Sequence, residues 1–259
     1  MKIGAYPFAV TGDMERNAAI IERGAERAAQ AGVKLLAFPE CALTGYPPLS
    51  IPRASAVDFE QLSRAHERMQ AIADRTGVHL IAGTITRDES GTRNSAAVFS
   101  PGEAVRLYHK RALWGYDAEN FAVGEPGGVF EIEGLRVGVR ICYEVRFPEY
   151  FRELYRAGTD LNVILFYDVS DRDDAQRYDL IRAHVRTRAV ENVCPTLTVC
   201  ATAPFQTAPS GLFDRSGRPL AELARGEEGL LVCDWPCGGL NFGEEGRRRI
   251  SDRLLGAGE

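Results

Sequence analysis

Hydrophobic positions along this chain switch repeatedly between a helical period and a strand period. From Asp13 to Ala31 the apolar residues Ile20, Ile21, Ala25 and Ala28 fall on one side of a helix, with Asp13 as N-cap and Gly32 ending it. Val33 to Phe38 is a compact apolar strand that stops at Pro39-Glu40. The same reading gives a strand at 2–6, a helix over Phe59–Arg75 and a strand over Val78–Ala82. It also gives a strand pair, Ser95–Phe99 and Ala104–His109, around the turn Ser100-Pro-Gly102. Later come a strand over Leu161–Phe166, a helix over Asp179–Asn192, and strands at Thr196–Cys200, Gly211–Phe213 and Gly229–Cys233. Alternating strands and helices favour a layered α/β fold with helices outside. The Trp114–Gly128 stretch, with its four glycines, reads as a long functional loop.

The strand Leu135–Cys142 turns Leu135, Val137, Val139 and Ile141 one way and Arg136, Gly138, Arg140 and Cys142 the other. Tyr143-Glu-Val-Arg-Phe147 follows, then a helix opened by Pro148 and stopped by Gly158. Cys142 therefore stands at a strand end, on the polar face, near a helix N-terminus. The helix dipole and unpaired amides there are expected to favour a thiolate nucleophile.

Composition narrows the picture. The chain has 259 residues, 45% hydrophobic and 26% charged, with a net charge of −5. That length suits a single large domain, read as residues 1–240 with a C-terminal tail at 241–259, a candidate for a subunit interface. The acidic balance argues against a nucleic-acid surface, and Arg247-Arg248-Arg249 reads as a solvated face of the tail. No membrane span and no signal-peptide pattern is visible, so the expected setting is cytoplasmic. Six cysteines do not form a disulfide framework here, and Cys233-Asp-Trp-Pro-Cys237 is one residue too long for a C-x-x-C pair. No metal is expected.

Three reactive side chains share one kind of position. Glu40 follows the strand Leu35–Phe38, Lys110 follows Val105–Tyr108, and Cys142 closes its own strand. Layered α/β folds collect their sites at such carboxyl ends. A carboxylate, an ammonium and a thiol brought together divide labour coherently. Glu40 takes the thiol proton and returns one to a leaving amine, and Lys110 with the backbone N–H of Tyr143 stabilises an oxyanion. Among the other candidates, His109 points opposite to Lys110 and reads as packing or a supporting hydrogen bond. His184 reads as a surface residue and Cys41 as core. No G-x-S-x-G elbow, P-loop or G-x-G-x-x-G is present.

The strings around these residues resemble the nitrilase (carbon–nitrogen hydrolase) superfamily. Phe38-Pro-Glu40-Cys-Ala-Leu-Thr-Gly-Tyr46 is similar to its glutamate segment and Tyr108-His-Lys110-Arg-Ala-Leu-Trp-Gly115 to its lysine segment. Ile141-Cys142-Tyr-Glu-Val-Arg-Phe-Pro-Glu149 is similar to its nucleophile segment, and Arg188-Ala-Val-Glu-Asn192 to a helix motif. The resemblance runs from near residue 1 to about residue 235 and implies a four-layer αββα sandwich with a Glu40–Lys110–Cys142 triad. It implies no metal, no organic cofactor, and subunits paired through helical outer layers as a homodimer or larger homo-oligomer. Many members carry a second glutamate seven residues before the glycine of a Phe-x-x-Gly. Phe121-Ala-Val-Gly124 sets that frame here, which puts Asp117 in the position and favours it over Glu119 as accessory acid.

Cys142-Tyr143-Glu144 is closer to amidase branches than the Cys-Trp-Glu of true nitrilases. The implied reaction converts a small carboxamide to acid and ammonia through a thioester, with Tyr46 and Arg146 as candidate contacts to the acyl side. An N-carbamoyl amide hydrolase, a nitrilase, or a glutaminase passing ammonia to a partner would use the same triad. Two other classes predict different behaviour: a fold member that has lost catalysis and only binds, and a Cys–His thiol hydrolase.

Overall fold

The computed structural model describes residues 1–236 and 238–256, so Cys237 and the last three residues of the tail lie outside the described residues. The first half runs β1 (Lys2–Ala5), α1 (Met14–Gln30), β2 (Val33–Ala37), α2 (Phe59–Thr76), β3 (His79–Asp88), β4 (Gly91–Phe99), β5 (Arg106–His109) and α3 (Tyr116–Asn120). It continues with β6 (Val129–Ile132), β7 (Leu135–Ile141), α4 (Pro148–Arg156), β8 (Leu161–Phe166), β9 (Val169–Ser170) and α5 (Ala175–Glu191). The last elements are β10 (Thr196–Cys200), β11 (Phe205–Gln206), β12 (Gly211–Phe213), β13 (Pro219–Glu222), β14 (Leu231–Asp234) and α6 (Phe242–Leu255).

Helix starts are fixed by side chains that satisfy otherwise unpaired amides. Asp13 accepts the Arg16 N–H, Asp58 those of Glu60 and Gln61, and Asp174 that of Arg177. The Asp174 cap explains why α5 begins four residues before the expected Asp179. Two six-stranded sheets form, in the orders β14-β1-β2-β3-β4-β5 and β13-β12-β10-β8-β7-β6. Each has three central parallel strands, β1-β2-β3 and β7-β8-β10, flanked by antiparallel neighbours.

Three apolar clusters separate four layers. Ile21, Ala25, Leu62 and Met69 of α1 and α2 pack on one face of the first sheet with Leu36 and Leu80. Ile3, Leu35 and Ile81 meet Val137, Val139, Ile141 and Val163 between the sheets. Phe151, Leu154, Ile181 and Val185 of α4 and α5 cover the far face of the second sheet with Ile164 and Phe166. This is the αββα sandwich, in one domain. Because central strands are buried on both faces, the polar side of β7 beyond the exposed Arg136 is buried. Arg140 is fully buried, its guanidinium donating to the carbonyls of Tyr150, Gly127 and Val139.

Residues 241–256 are not an extended tail. Asn241 and Glu244 cap α6 reciprocally, and the Tyr155 hydroxyl donates to Asp252 at 2.5 Å, so α6 packs against its own chain. Arg248 and Arg249 are exposed on it. No helix among the described residues is long and apolar enough to cross a membrane.

Candidate active site

Glu40, Lys110 and Asp117 come together through close backbone packing. Glu40 sits in the turn after β2, and that turn lies against β3 at Gly83. A Cβ there would stand 2.2 Å from the Cys41 nitrogen and 2.4 Å from the Pro39 oxygen. Gly83 uses the approach, donating to Pro39 O and accepting from Leu43 N. Lys110 follows β5, held by its N–H to Asn94 O at 2.8 Å. The loop beyond it returns at Gly124, whose N–H reaches Lys110 O and whose missing Cβ would meet His109 O at 2.1 Å. That loop contains the short helix α3, and α3 carries Asp117.

Lys110 Nζ lies 2.7 Å from Glu40 Oε1 and 2.7 Å from Asp117 Oδ2, and all three side chains are at most 5% exposed. Asn94 Nδ2 also donates to Glu40 Oε1 at 2.7 Å, and the Tyr167 N–H, just past β8, donates to Oε2 at 2.8 Å. The Tyr46 hydroxyl donates to Asp117 Oδ1 at 2.9 Å, its ring stacked on Tyr167 with centroids 5.0 Å apart. Burial, followed by the field of Glu40, pushes the Tyr46 hydroxyl well up, so it stays protonated as a donor. Burial would depress Lys110, but Glu40 and Asp117 more than offset it, and its ammonium is held well above the ordinary range. Glu40 is raised, by burial first and by Asp117, against the opposing pull of Lys110.

Cys142 departs from expectation. It has φ +45° and opens a 3₁₀ turn over Cys142–Arg146, and α4 follows at Pro148, where the sequence places it. The residue keeps some contact with solvent, yet burial and then Glu40 push the thiol well up. Lys110 opposes this, while Asp168 and Asp117 add to it. The direction is toward the thiol, opposite to the thiolate that the strand-to-helix reading favours.

The remaining candidates separate clearly. Glu119 is exposed, two residues from the buried Asp117. Tyr143 is the second residue of the 3₁₀ turn, among the first amides of that turn, which have no partner within it. The Arg146 guanidinium lies 5.5 Å over the Tyr143 ring, on the same turn as Cys142. His109 Nδ1 is 2.7 Å from Ser95 Oγ, away from the cluster. His184 is half-buried rather than at the open surface. Cys41 is fully buried beside Glu40. Asn94, the Tyr167 N–H and Glu144 escaped the sequence reading. Asn94 lies just outside the strand read from Ser95, in the part of β4 that the sequence reading missed, and a backbone N–H leaves no signal in the side-chain pattern.

Comparison with known proteins identifies the family. The carbon–nitrogen hydrolase family model matches residues 2–239. The 2-oxoglutaramate amidase of Bacillus subtilis is 28% identical over 205 residues, 76% of each chain. The omega-amidase NIT2 of Xenopus tropicalis is 31% identical over 150 residues, 53% of each. A mutant amidase from Nesterenkonia sp. AN1 superposes with a TM-score of 0.82 at 26% identity, covering 99% of this chain and 96% of its own. That structure shows covalent addition of the acetamide moiety of fluoroacetamide at the active-site cysteine.

Proposed function

Because this chain belongs to the carbon–nitrogen hydrolase family, we propose that it is a cysteine amidase converting small carboxamides to acid and ammonia. The observation that carries the reading is the buried Lys110 held 2.7 Å from both Glu40 and Asp117 beside the Cys142 turn. Cys142 Sγ attacks the amide carbonyl as its proton passes to Glu40. The oxyanion forms against the Lys110 ammonium and the Tyr143 N–H, which move no proton and reorganise little. Glu40 then hands its proton to the leaving nitrogen, the C–N bond breaks, and ammonia departs from a thioester. Water, deprotonated by Glu40, attacks the thioester, and the returning proton regenerates the thiol.

A thiol at rest fits this order. Negative charge that leaves the sulfur during attack passes to the carbonyl oxygen facing Lys110. The names of the two amidase relatives support ω-amides of short keto acids as a substrate class. Tyr46, whose hydroxyl orients Asp117, and Arg146, on the nucleophile turn, are the side chains assigned to the acyl end. Pairing of subunits through the helical outer layers belongs to the same reading, and exposed Phe242, Ile250 and Leu254 on α6 are surface such pairing would cover.

The test is ammonia release from small amides, ω-amides of keto acids, nitriles, N-carbamoyl amino acids and glutamine, with Cys142→Ala in parallel. Release from an amide, lost in the variant, is expected. Release only from a nitrile or a carbamoyl compound moves the protein to another branch. Silence throughout, with Cys142 inert to iodoacetamide, sinks the enzymatic reading.

A further inference from the structure

Glu144 is fully buried, and both of its carboxylate oxygens are engaged. Oε1 accepts from the Tyr108 hydroxyl at 2.6 Å and from the Arg111 N–H at 2.9 Å, and Oε2 accepts from the Ile141 N–H at 2.7 Å. These donors are not scattered. Tyr108 and Arg111 flank Lys110 in the chain, and Ile141 immediately precedes Cys142. β5 is the edge of the first sheet and β7 lies in the second. A single carboxylate therefore ties the backbone around the ammonium to the backbone behind the sulfur, across the gap between sheets.

Filling the space alone would not call for an acid, since an apolar side chain would do so without the cost of burying a charge. The surroundings are arranged to keep this one. Burial, then Glu144, raises the Tyr108 hydroxyl so that it remains a donor. The Arg140 guanidinium lies 5.1 Å over the Tyr108 ring, and Arg111 is anchored to Glu153 at 2.5 Å. Each neighbour holds a donor or balances the charge.

We propose that Glu144 is a positioning residue that sets the separation between the Lys110 ammonium and the Cys142 sulfur. The role rests on the reading of Cys142 as nucleophile. It requires no proton transfer through Glu144, whose oxygens are all directed at fixed donors. A carboxylate offers acceptors on both sides, whereas an isosteric amide must turn an NH2 toward Ile141 N–H or toward Arg111 N–H and Tyr108, opening one side of the tie.

The experiment compares Glu144→Gln with the wild type in two assays: steady-state kinetics on the best amide, and iodoacetamide alkylation of Cys142 as a function of pH. In a variant with a native circular dichroism spectrum, kcat falls about 10²-fold while KM stays within about threefold. The alkylation profile moves to higher pH, because the displaced Lys110 no longer supports the thiolate. A folded variant with unchanged kcat and an unmoved alkylation profile overturns the proposal, even if its melting temperature is lower. Should Glu144→Gln not fold, Tyr108→Phe removes one of the three bonds and keeps the ring. A kcat loss of about tenfold with the same alkylation shift then supports the tie, and no change in either overturns it. Alkylation needs no substrate, so a silent amide panel tells against the amidase reading and an unmoved profile tells against the positioning role.

Discussion

Two ion-pair clusters in this protein have the same charge balance and opposite consequences. On the surface between α1 and α2, Arg68 reaches Glu15 at 2.5 Å and Glu22 at 2.6 Å, while Arg75 reaches Glu22 at 3.1 Å and Glu26 at 2.9 Å. In the interior, Lys110 lies between Glu40 and Asp117. Each cluster has one more carboxylate than cations. The surface side chains are 27–72% exposed, so water and salt absorb the surplus. Around Lys110 there is little water to do so. Charges about 4 Å apart interact by about 1 kcal/mol in water and about 4 kcal/mol at the permittivity typical of protein sites. Burial raises Glu40 and Cys142 first, and the neighbouring carboxylates add to both shifts. The same surplus of one carboxylate is absorbed by solvent outside and falls on neighbouring groups inside.

The hardest break of that contrast is Lys110→Met. It removes the cation to which the proposed mechanism assigns the oxyanion and leaves two carboxylates buried without one. We expect kcat to fall by about 10³-fold or more and stability at pH 7 to drop by about 3 kcal/mol, read from urea melts. The pH dependence has a definite sign. Glu40, already raised by burial, loses the charge that lowers it and rises further. Its folded state then holds a proton better than the unfolded chain. The variant therefore regains stability as pH falls from its folded value toward 4.5, and loses it as pH rises. A Lys110→Met protein that melts like the wild type at pH 7 and still releases ammonia would remove the distinction between the two clusters.

Asp117→Asn is gentler and separates charge from packing. Asp117 raises Glu40, so neutralising it lets the Glu40 pKa fall. The acid limb of kcat/KM, which reports ionisation of the free enzyme, should then move to lower pH. A drop of about tenfold in kcat is expected alongside, as Lys110 keeps only one anionic partner and Asn cannot serve both Lys110 and Tyr46 equally. An acid limb that stays in place would mean that Asp117 acts by geometry alone.

How much of this was legible in the chain differs between its parts. The layers were, because helix and strand periods are local and their ends are marked by Asp13 and Gly32. Glu40, Lys110 and Cys142 were also visible, each in its own short string beside a strand end, and Asp117 only through the Phe121-Ala-Val-Gly124 frame that the resemblance supplies. The grips that hold them were not. Asn94 meets Glu40 across 54 residues, and the Tyr167 N–H meets it across 127. Contacts of that separation, one made by a backbone group, leave no periodic trace. The charge state of Cys142 was misread for a related reason. The strand-to-helix order favoured a thiolate, and α4 begins at Pro148 as read, whereas burial of the sulfur, which the local pattern does not show, pushes the thiol up. The helix α6 was hidden by a run of Gly and Arg, and only its capping pair, Asn241 and Glu244, marks the start.

The surface cluster supplies the smallest and sharpest comparison. Arg68→Ala cuts two of its four ion pairs, at side chains 33% exposed for Arg68, 72% for Glu15 and 27% for Glu22. Each exposed pair is worth about 0–1 kcal/mol after screening and side-chain ordering. We expect a melting temperature lower by about 2–4 °C at low salt, the shift that about 1 kcal/mol gives in a protein of this size. Half a molar salt should remove most of the difference, since the Debye length then falls to about 4 Å. The amidase rate and its pH profile should not move. If Arg68→Ala instead lost as much stability as Lys110→Met, or kept its deficit in high salt, exposure would not be what separates the two clusters. The account of Lys110, Glu40 and Asp117 as a site governed by burial would then have to be rebuilt on packing.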